Sequence, residues 1–169
     1  MTQNVPETAS FGHRYSVIRK LGSGAQGAVY LVEDRHLASH RVALKVLRPE
    51  AEPSWRDTFR HEFEVLAGLH HPRLARVHDF GTAPDGRLFF TRDFVDGVDL
   101  RRRSEGMGAV DAVAMAIEIC RALKPLHRRG LIHGDLKPGN IIGSASGVVQ
   151  IIGGSFPDAP GDPSTAVLR

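Results

Sequence analysis

The spacing of apolar residues changes near Gly97 from mainly strand-like to mainly helical, and this change limits the folds that the chain can adopt. Before it, five strand-like segments rich in apolar residues are separated by turns: 15–21, 28–33, 41–47, 74–80 and 88–94. After it, helical spacing prevails until two short apolar runs, 140–142 and 148–152, which predict a small hairpin. A run of strands followed by a run of helices is typical of the α+β class.

One helix interrupts the strands. Apolar residues recur near helical spacing from Phe59 to Leu69, which predicts a helix over 55–69. Beyond Gly97, a short helix is expected at 99–103 and a long one at 109–129. Apolar residues surround most of the long helix, so it should be largely buried, with Cys120 as a buried thiol.

Size and charge exclude several classes of protein. With 169 residues, of which 41% are hydrophobic, the chain can form one sizeable core but not two full domains. The net charge is only +3, and short basic clusters such as 101–103 favour a solvated surface over a nucleic-acid site. No segment reaches the ~18 apolar residues of a membrane span. We therefore expect a cytoplasmic protein without nucleic-acid or membrane partners.

Glycines interrupt the first pair of strands. Residues 22–29 place Gly22, Gly24, Gly27 and Val29 in the pattern G-x-G-x-x-G-x-V. Positions without side chains let backbone amides approach phosphate oxygens. A second strand follows these glycines, whereas a helix follows a dinucleotide-binding loop. Taken alone, the pattern fits an ordinary tight hairpin equally well.

A lysine with apolar neighbours follows on the third strand. Lys45 comes after Ala43 and Leu44, so its ammonium group can point inward to phosphates held by the glycine loop. Glu62, on the next predicted helix, is the expected partner that orients it. Glu64 is the alternative, but two residues along a helix lie on a different face.

The most specific chemistry lies at residues 133–140, which read His-Gly-Asp-Leu-Lys-Pro-Gly-Asn. Asp135 would accept a hydroxyl proton, Lys137 would neutralise phosphate charge and Asn140 would hold a magnesium ion. This set suits phosphoryl transfer. For His133, packing within the loop is favoured over a chemical role.

Together these motifs resemble the protein kinase family, specifically the bacterial serine/threonine kinases of eukaryotic type. The resemblance covers about residues 11–152. It implies an α+β, kinase-like fold, in which a five-stranded antiparallel N-lobe sheet with one helix is followed by an incomplete, mainly helical C-lobe. The implied boundaries are a flexible lead-in at 1–13, the N-lobe at 14–96, the partial C-lobe at 97–152 and an irregular tail at 153–169.

The resemblance also assigns roles to single residues. ATP would bind under the glycine loop and beside Ala43, with its phosphates at Lys45 and its adenine at the backbone near Asp93 and Val95. Glu62 would orient Lys45. In the later loop, the resemblance implies that Asp135 is the base, Lys137 contacts the transferred phosphate and Asn140 binds magnesium. The implied ligands are ATP, Mg²⁺ and a protein substrate or partner protein.

Several features depart from the family pattern. Gly134 replaces the usual Arg, Gln26 replaces an aromatic residue at the loop tip, and Arg92 occupies the gatekeeper position. Most importantly, Gly153-Gly154-Ser155 stands where the family has Asp-Phe-Gly. Losing that metal-binding Asp would weaken magnesium binding and slow transfer by several decades. Asp158 and Asp162 are poor substitutes because prolines surround them.

A further departure is that the sequence ends at Arg169, before the remaining C-lobe helices of a kinase. The helix at 109–129 would then expose an apolar face that self-associates, binds a partner or lowers solubility. Three hypotheses follow: an active serine/threonine kinase, a non-catalytic pseudokinase or interaction module that still binds ATP, and a truncated kinase remnant.

Overall fold

The computed structural model describes residues 10–38, 40–144 and 148–154, and the chain divides into two compact units. The first unit contains the described residues up to Phe63 together with Val77–Phe94. The second contains Glu64–Arg76 and the described residues from Val95 onward. A sheet with one helix forms the first unit and a mainly helical arrangement forms the second, which confirms the predicted α+β class.

An antiparallel sheet of six strands forms the first unit. The strands lie in the order β1-β2-β3-β4-β6-β5, and each neighbouring pair is antiparallel. Their bounds are Ser10–Phe11 (β1), Tyr15–Ser23 (β2), Gly27–Asp34 (β3), His40–Leu47 (β4), Val77–Thr82 (β5) and Leu88–Asp93 (β6). Strands β2 to β6 are the five that the sequence predicts.

Strand β1 is an addition that the polar N-terminal sequence did not predict. It is only two residues long and pairs with β2 through Phe11 and Tyr15. The Phe11 side chain is buried, and its ring centroid lies 5.9 Å from that of Tyr30 and 5.8 Å from that of Phe89. One aromatic anchor therefore extends the sheet, although its sequence lacks strand periodicity.

Helix α1 (Pro53–Ala67) carries an aromatic face, and its residues up to Phe63 belong to the first unit. The Phe59 ring lies 4.9 Å from the ring of Phe90, and the Phe63 ring lies 5.3 Å from that of Phe80. Phe90 is fully buried on β6. This aromatic layer fixes α1 on the sheet and so determines where Glu62 lies.

The second unit combines helices with a small sheet. Helices α2 (Leu100–Arg103) and α3 (Ala109–His127) accompany a sheet in the order β7-β8-β9, whose strands are Val98–Asp99, Ile141–Gly143 and Val149–Ile151. The last two strands are the predicted small hairpin. A Cβ on Gly97 would lie 2.6 Å from the Gly143 carbonyl oxygen, so this close approach requires glycine.

Helix α3 is less buried than its apolar sequence suggests. Ala122 and Leu126 are its buried residues, whereas Val110, Val113 and Ile117 are 82%, 62% and 47% exposed. Cys120 is exposed as well, so the prediction of a buried thiol is wrong. No described part of the chain covers this face, which confirms the expected exposed apolar face. No helix in the described ranges is long and apolar enough to cross a bilayer.

Candidate functional site

The glycine loop is a tight turn between β2 and β3. The Gly24 amide donates to the Gly27 carbonyl oxygen at 2.9 Å, and the Arg48 amide donates to the Gln26 carbonyl at 3.0 Å. Arg48 also donates from Nη2 to the Gly24 carbonyl at 3.1 Å. These bonds hold the loop against the end of β4.

The three loop glycines are present for different reasons. A Cβ on Gly27 would lie 2.0 Å from the Val46 carbonyl oxygen, so the pairing of β3 with β4 requires glycine there. At Gly22 and Gly24 a Cβ would meet no atom within 4 Å. Because protein packing does not demand these two glycines, the open space beside them is free for a ligand such as a phosphate group.

Lys45 and Glu62 form a charge pair in the first unit. The Lys45 Nζ lies 2.5 Å from the Glu62 Oε2, and the ammonium group also lies 5.4 Å from the Phe59 ring and 5.6 Å from the Phe90 ring. Glu62 is buried, whereas Glu64 is exposed. The structure therefore pairs Lys45 with the carboxylate that helical geometry favours.

Neighbouring residues on the sheet frame Lys45. Val29 pairs with Lys45 across β3 and β4, and the buried Ala43 lies two positions before it on the same strand face. Asp93, at the end of β6, pairs with Val42 and holds the His78 Nε2 at 2.8 Å from its Oδ1. Val95 belongs to the second unit.

Arg92 brings a second cation toward Glu62. Only 7% of its surface is exposed, and burial lowers the pKa of its guanidinium to about 10 while the negative charge of Glu62 acts to raise it. Arg92 therefore stays charged at neutral pH. The sequence shows that Arg92 is unusual at its position, but its proximity to Glu62 was not predicted. The signal was available, because alternation along β6 places Arg92 on the same face as Phe90.

In the second unit, the predicted catalytic residues come together in one loop. Lys137 donates from Nζ to the Asp135 Oδ2 at 2.6 Å. Asn140 donates from Nδ2 to the same oxygen at 3.1 Å and to the Asp135 carbonyl at 2.8 Å. A single 3-10 turn, Pro138–Asn140, brings Asn140 back to Asp135. Both side-chain contacts fall on Oδ2, which leaves Oδ1 to accept a proton.

The two residues before Asp135 fit the loop in different ways. His133 is buried, as expected for a packing residue. Gly134 has a φ of 70°, in the left-handed region that glycine adopts most readily. The glycine that replaces the family's Arg therefore suits the backbone at this point.

Within the described ranges, Asn140 is the predicted magnesium ligand of this loop. Magnesium prefers six oxygen ligands, commonly including one or two carboxylates and substrate phosphates. No group of three or more His, Cys, Asp or Glu in the described ranges could hold a metal ion. Asn140 offers its Oδ1, but Gly153 and Gly154 after β9 carry no side-chain oxygen. Ser155 and the alternative carboxylates Asp158 and Asp162 lie outside the described residues.

Comparisons with known proteins agree with this arrangement. The sequence profile described as "Protein kinase domain" matches residues 15–153. The serine/threonine-protein kinase PknI of Mycobacterium tuberculosis is 38% identical over 135 residues, which are 76% of this chain and 23% of PknI. The chain thus spans less than a quarter of that relative.

Solved structures are similar as well. The crystal structure of the Mycobacterium tuberculosis PknI kinase domain has a TM-score of 0.71 at 31% identity, covering 91% of this chain and 64% of that chain. The crystal structure of Rad53 1-466 in complex with AMP-PNP has a TM-score of 0.72 at 27% identity, covering 85% and 39%. The chain therefore belongs to the protein kinase family, among the bacterial serine/threonine kinases of eukaryotic type.

Proposed function

We propose that this chain is an ATP-binding, protein kinase-like domain in which phosphoryl transfer to protein Ser or Thr is impaired. One contrast carries the proposal. The Lys45–Glu62 pair is assembled at 2.5 Å, whereas Gly153-Gly154-Ser155 supplies no carboxylate where the family has its second metal-binding Asp.

Nucleotide binding follows from the first unit. The backbone amides between Gly22 and Gly27 would surround the phosphates, because the space beside Gly22 and Gly24 is open. Lys45 would add a positive charge to them, held in place by Glu62. The adenine would lie against Val29 and Ala43 and bond to the backbone near Asp93. The similar Rad53 structure is a complex with AMP-PNP, which supports this assignment.

Transfer would depend on residues of the second unit. Asp135 would accept the substrate hydroxyl proton at Oδ1, and Lys137 would leave Oδ2 to contact the transferred phosphate. Asn140 would then be the remaining protein ligand for Mg²⁺. Bound magnesium neutralises charge that develops on the phosphates, a contribution of several kcal/mol at ~1.4 kcal/mol per tenfold in rate. With its protein ligands reduced, magnesium binding is weakened and transfer is slowed by several decades.

An observation on α3 favours a second candidate function, that of a non-catalytic interaction module. Val110, Val113 and Ile117 form an exposed apolar stripe on this helix that would bind a partner protein or a second copy of the chain. Such a module would bind ATP without transferring phosphate, and we place it in the cytoplasm with its nucleotide.

Thermal shift and phosphate transfer separate these functions. ATP should raise the melting temperature of the full chain, and Lys45→Ala should abolish the rise, while Lys20→Ala, an exposed lysine on β2, should not. The rate of phosphate transfer from γ-labelled ATP should be several decades below that of an intact kinase. Asp135→Asn should abolish any transfer that remains. Rapid transfer would refute the impairment. A folded chain without an ATP response would refute nucleotide binding.

A further inference from the structure

Strand geometry brings Arg92 into the layer that holds Glu62. Side chains two positions apart on a strand share a face, so Arg92 lies on the face of Phe90. The Phe90 ring lies 4.9 Å from the Phe59 ring and 5.6 Å from the Lys45 Nζ. That face therefore points toward α1 and the Lys45–Glu62 pair. In addition, Arg92 pairs with Ala43 across β4 and β6, two positions before Lys45.

The layer contains two cations and one carboxylate. Glu62 is 2% exposed and Arg92 is 7% exposed. Lys45 contacts Oε2 of Glu62, whereas the buried Oε1 makes no hydrogen bond. The buried Nε of Arg92 makes none either. An unsatisfied acceptor and an unsatisfied donor of opposite charge thus occur in the same buried layer, where opposite charges attract more strongly than in water.

We propose that Arg92 is a second counter-ion of Glu62 and a positioning residue, acting through the attraction between two buried opposite charges rather than through a hydrogen bond. Glu62 then keeps a cation even when Lys45 is displaced. Placement of α1 on the sheet therefore does not depend on Lys45 alone. One consequence rests on the proposed function: Lys45 can turn toward nucleotide phosphates without leaving a buried carboxylate unpaired.

Hydrogen exchange of the full chain, without nucleotide, tests this redundancy. Lys45→Met alone should leave amide exchange in α1 nearly unchanged, because Arg92 still pairs with Glu62. Adding Arg92→Met should accelerate exchange there by at least about tenfold, since the carboxylate is then buried without a cation. Arg92→Lys in place of Arg92→Met should restore protection. Arg41→Met, at an exposed arginine of β4, is the matched control.

A space-filling role for Arg92 makes a different prediction. Met is uncharged and shorter than Arg, so if Arg92 only filled space, the effect of Arg92→Met would be the same whether Glu62 is present or replaced. In the Lys45→Met background, our proposal requires Arg92→Met to accelerate amide exchange in α1 strongly while Glu62 is present. The acceleration should disappear when Glu62→Gln is added. If the triple variant with Lys45→Met, Arg92→Met and Glu62→Gln does not fold, the coupling between Arg92 and Glu62 is measured with Lys45 in place. The denaturation midpoints of Arg92→Met, Glu62→Gln and their double variant give it.

Two results would overturn the proposal. In the first, Lys45→Met alone would release α1 as fully as the double variant does. In the second, Arg92→Met combined with Lys45→Met would act equally in the Glu62 and Glu62→Gln backgrounds. Neither result depends on ATP, so failure of the proposed nucleotide binding, seen separately as a missing thermal shift in the unmodified chain, is distinguishable from failure of this inference.

Discussion

The Lys45 Nζ lies 2.5 Å from the Glu62 Oε2 and so joins β4 to α1 through a carboxylate that is almost completely buried. In a catalytic kinase this arrangement prepares a lysine for nucleotide phosphates. Here it persists although the carboxylate expected after β9 is replaced by Gly153. The Lys45–Glu62 pair is therefore assembled in a chain whose sequence has glycine at 153, where the family has an Asp.

Glu62→Ala should destabilise the chain strongly. Removing one partner of a buried ion pair leaves an uncompensated charge, which costs about 3–5 kcal/mol of unfolding free energy, and Lys45 and Arg92 would both lose their carboxylate. Urea denaturation measures the change. The control Glu64→Ala, at an exposed position of the same helix, should stay within about 0.5 kcal/mol. Equal effects of the two substitutions would contradict the burial of Glu62.

The loop glycines should differ in their tolerance of a methyl group. Gly27→Ala places a Cβ 2.0 Å from the Val46 carbonyl oxygen, so the strands must move apart at a cost of about 1–3 kcal/mol. The Cβ of Gly24→Ala meets open space, so the unfolding free energy of this variant should stay within about 0.5 kcal/mol of that of the unmodified chain. We expect Gly24→Ala nevertheless to reduce the ATP-induced rise in melting temperature. A full rise would show that the space beside Gly24 holds no phosphate.

Acid should weaken the first unit through Asp34. The hydrogen bonds that Arg14 donates hold the pKa of this buried carboxyl below its usual value of 3.8. A lowered folded-state pKa stabilises the fold above the unfolded-state pKa, and this contribution disappears as the pH falls through the folded-state value. The loss in melting temperature caused by Asp34→Asn should therefore be large at pH 6 and shrink below about pH 4. A constant loss would contradict the ion pair.

The exposed face of α3 should drive association. Val113→Lys with Ile117→Lys places charges on residues that are 62% and 47% exposed, so the fold should be retained while light scattering reports a smaller average mass. Glu64→Lys adds a charge at an exposed site on α1 and should leave the mass unchanged. A chain that is monomeric before any substitution would contradict self-association through this face.

Local patterns predicted the elements well. Apolar patterns predicted β2 to β6, and helical spacing placed the partner of Lys45 at Glu62 rather than Glu64. Both patterns depend only on residues that are close together in the sequence. The contact between Asp135 and Asn140 is also local, since a single 3-10 turn joins them.

Relations between distant residues could not be predicted in the same way. Arg14 bonds to Asp34 and to Asp79, 20 and 65 residues away, and these pairings depend on strand order. The order β4-β6-β5 likewise decides which side chains share a layer with Glu62. For Cys120, periodicity indicated an apolar helix face, but it could not indicate whether another element covers that face.

The magnesium dependence of ATP binding is the sharpest test of impaired phosphoryl transfer in this chain. The measurement is the ATP-induced rise in melting temperature of the full chain, first with Mg²⁺ and then with EDTA. Because Gly153 supplies no carboxylate and Asn140 offers one amide oxygen, we predict the same rise in both conditions. A rise that appears only with Mg²⁺, accompanied by transfer of labelled phosphate, would show a working metal site and contradict the account.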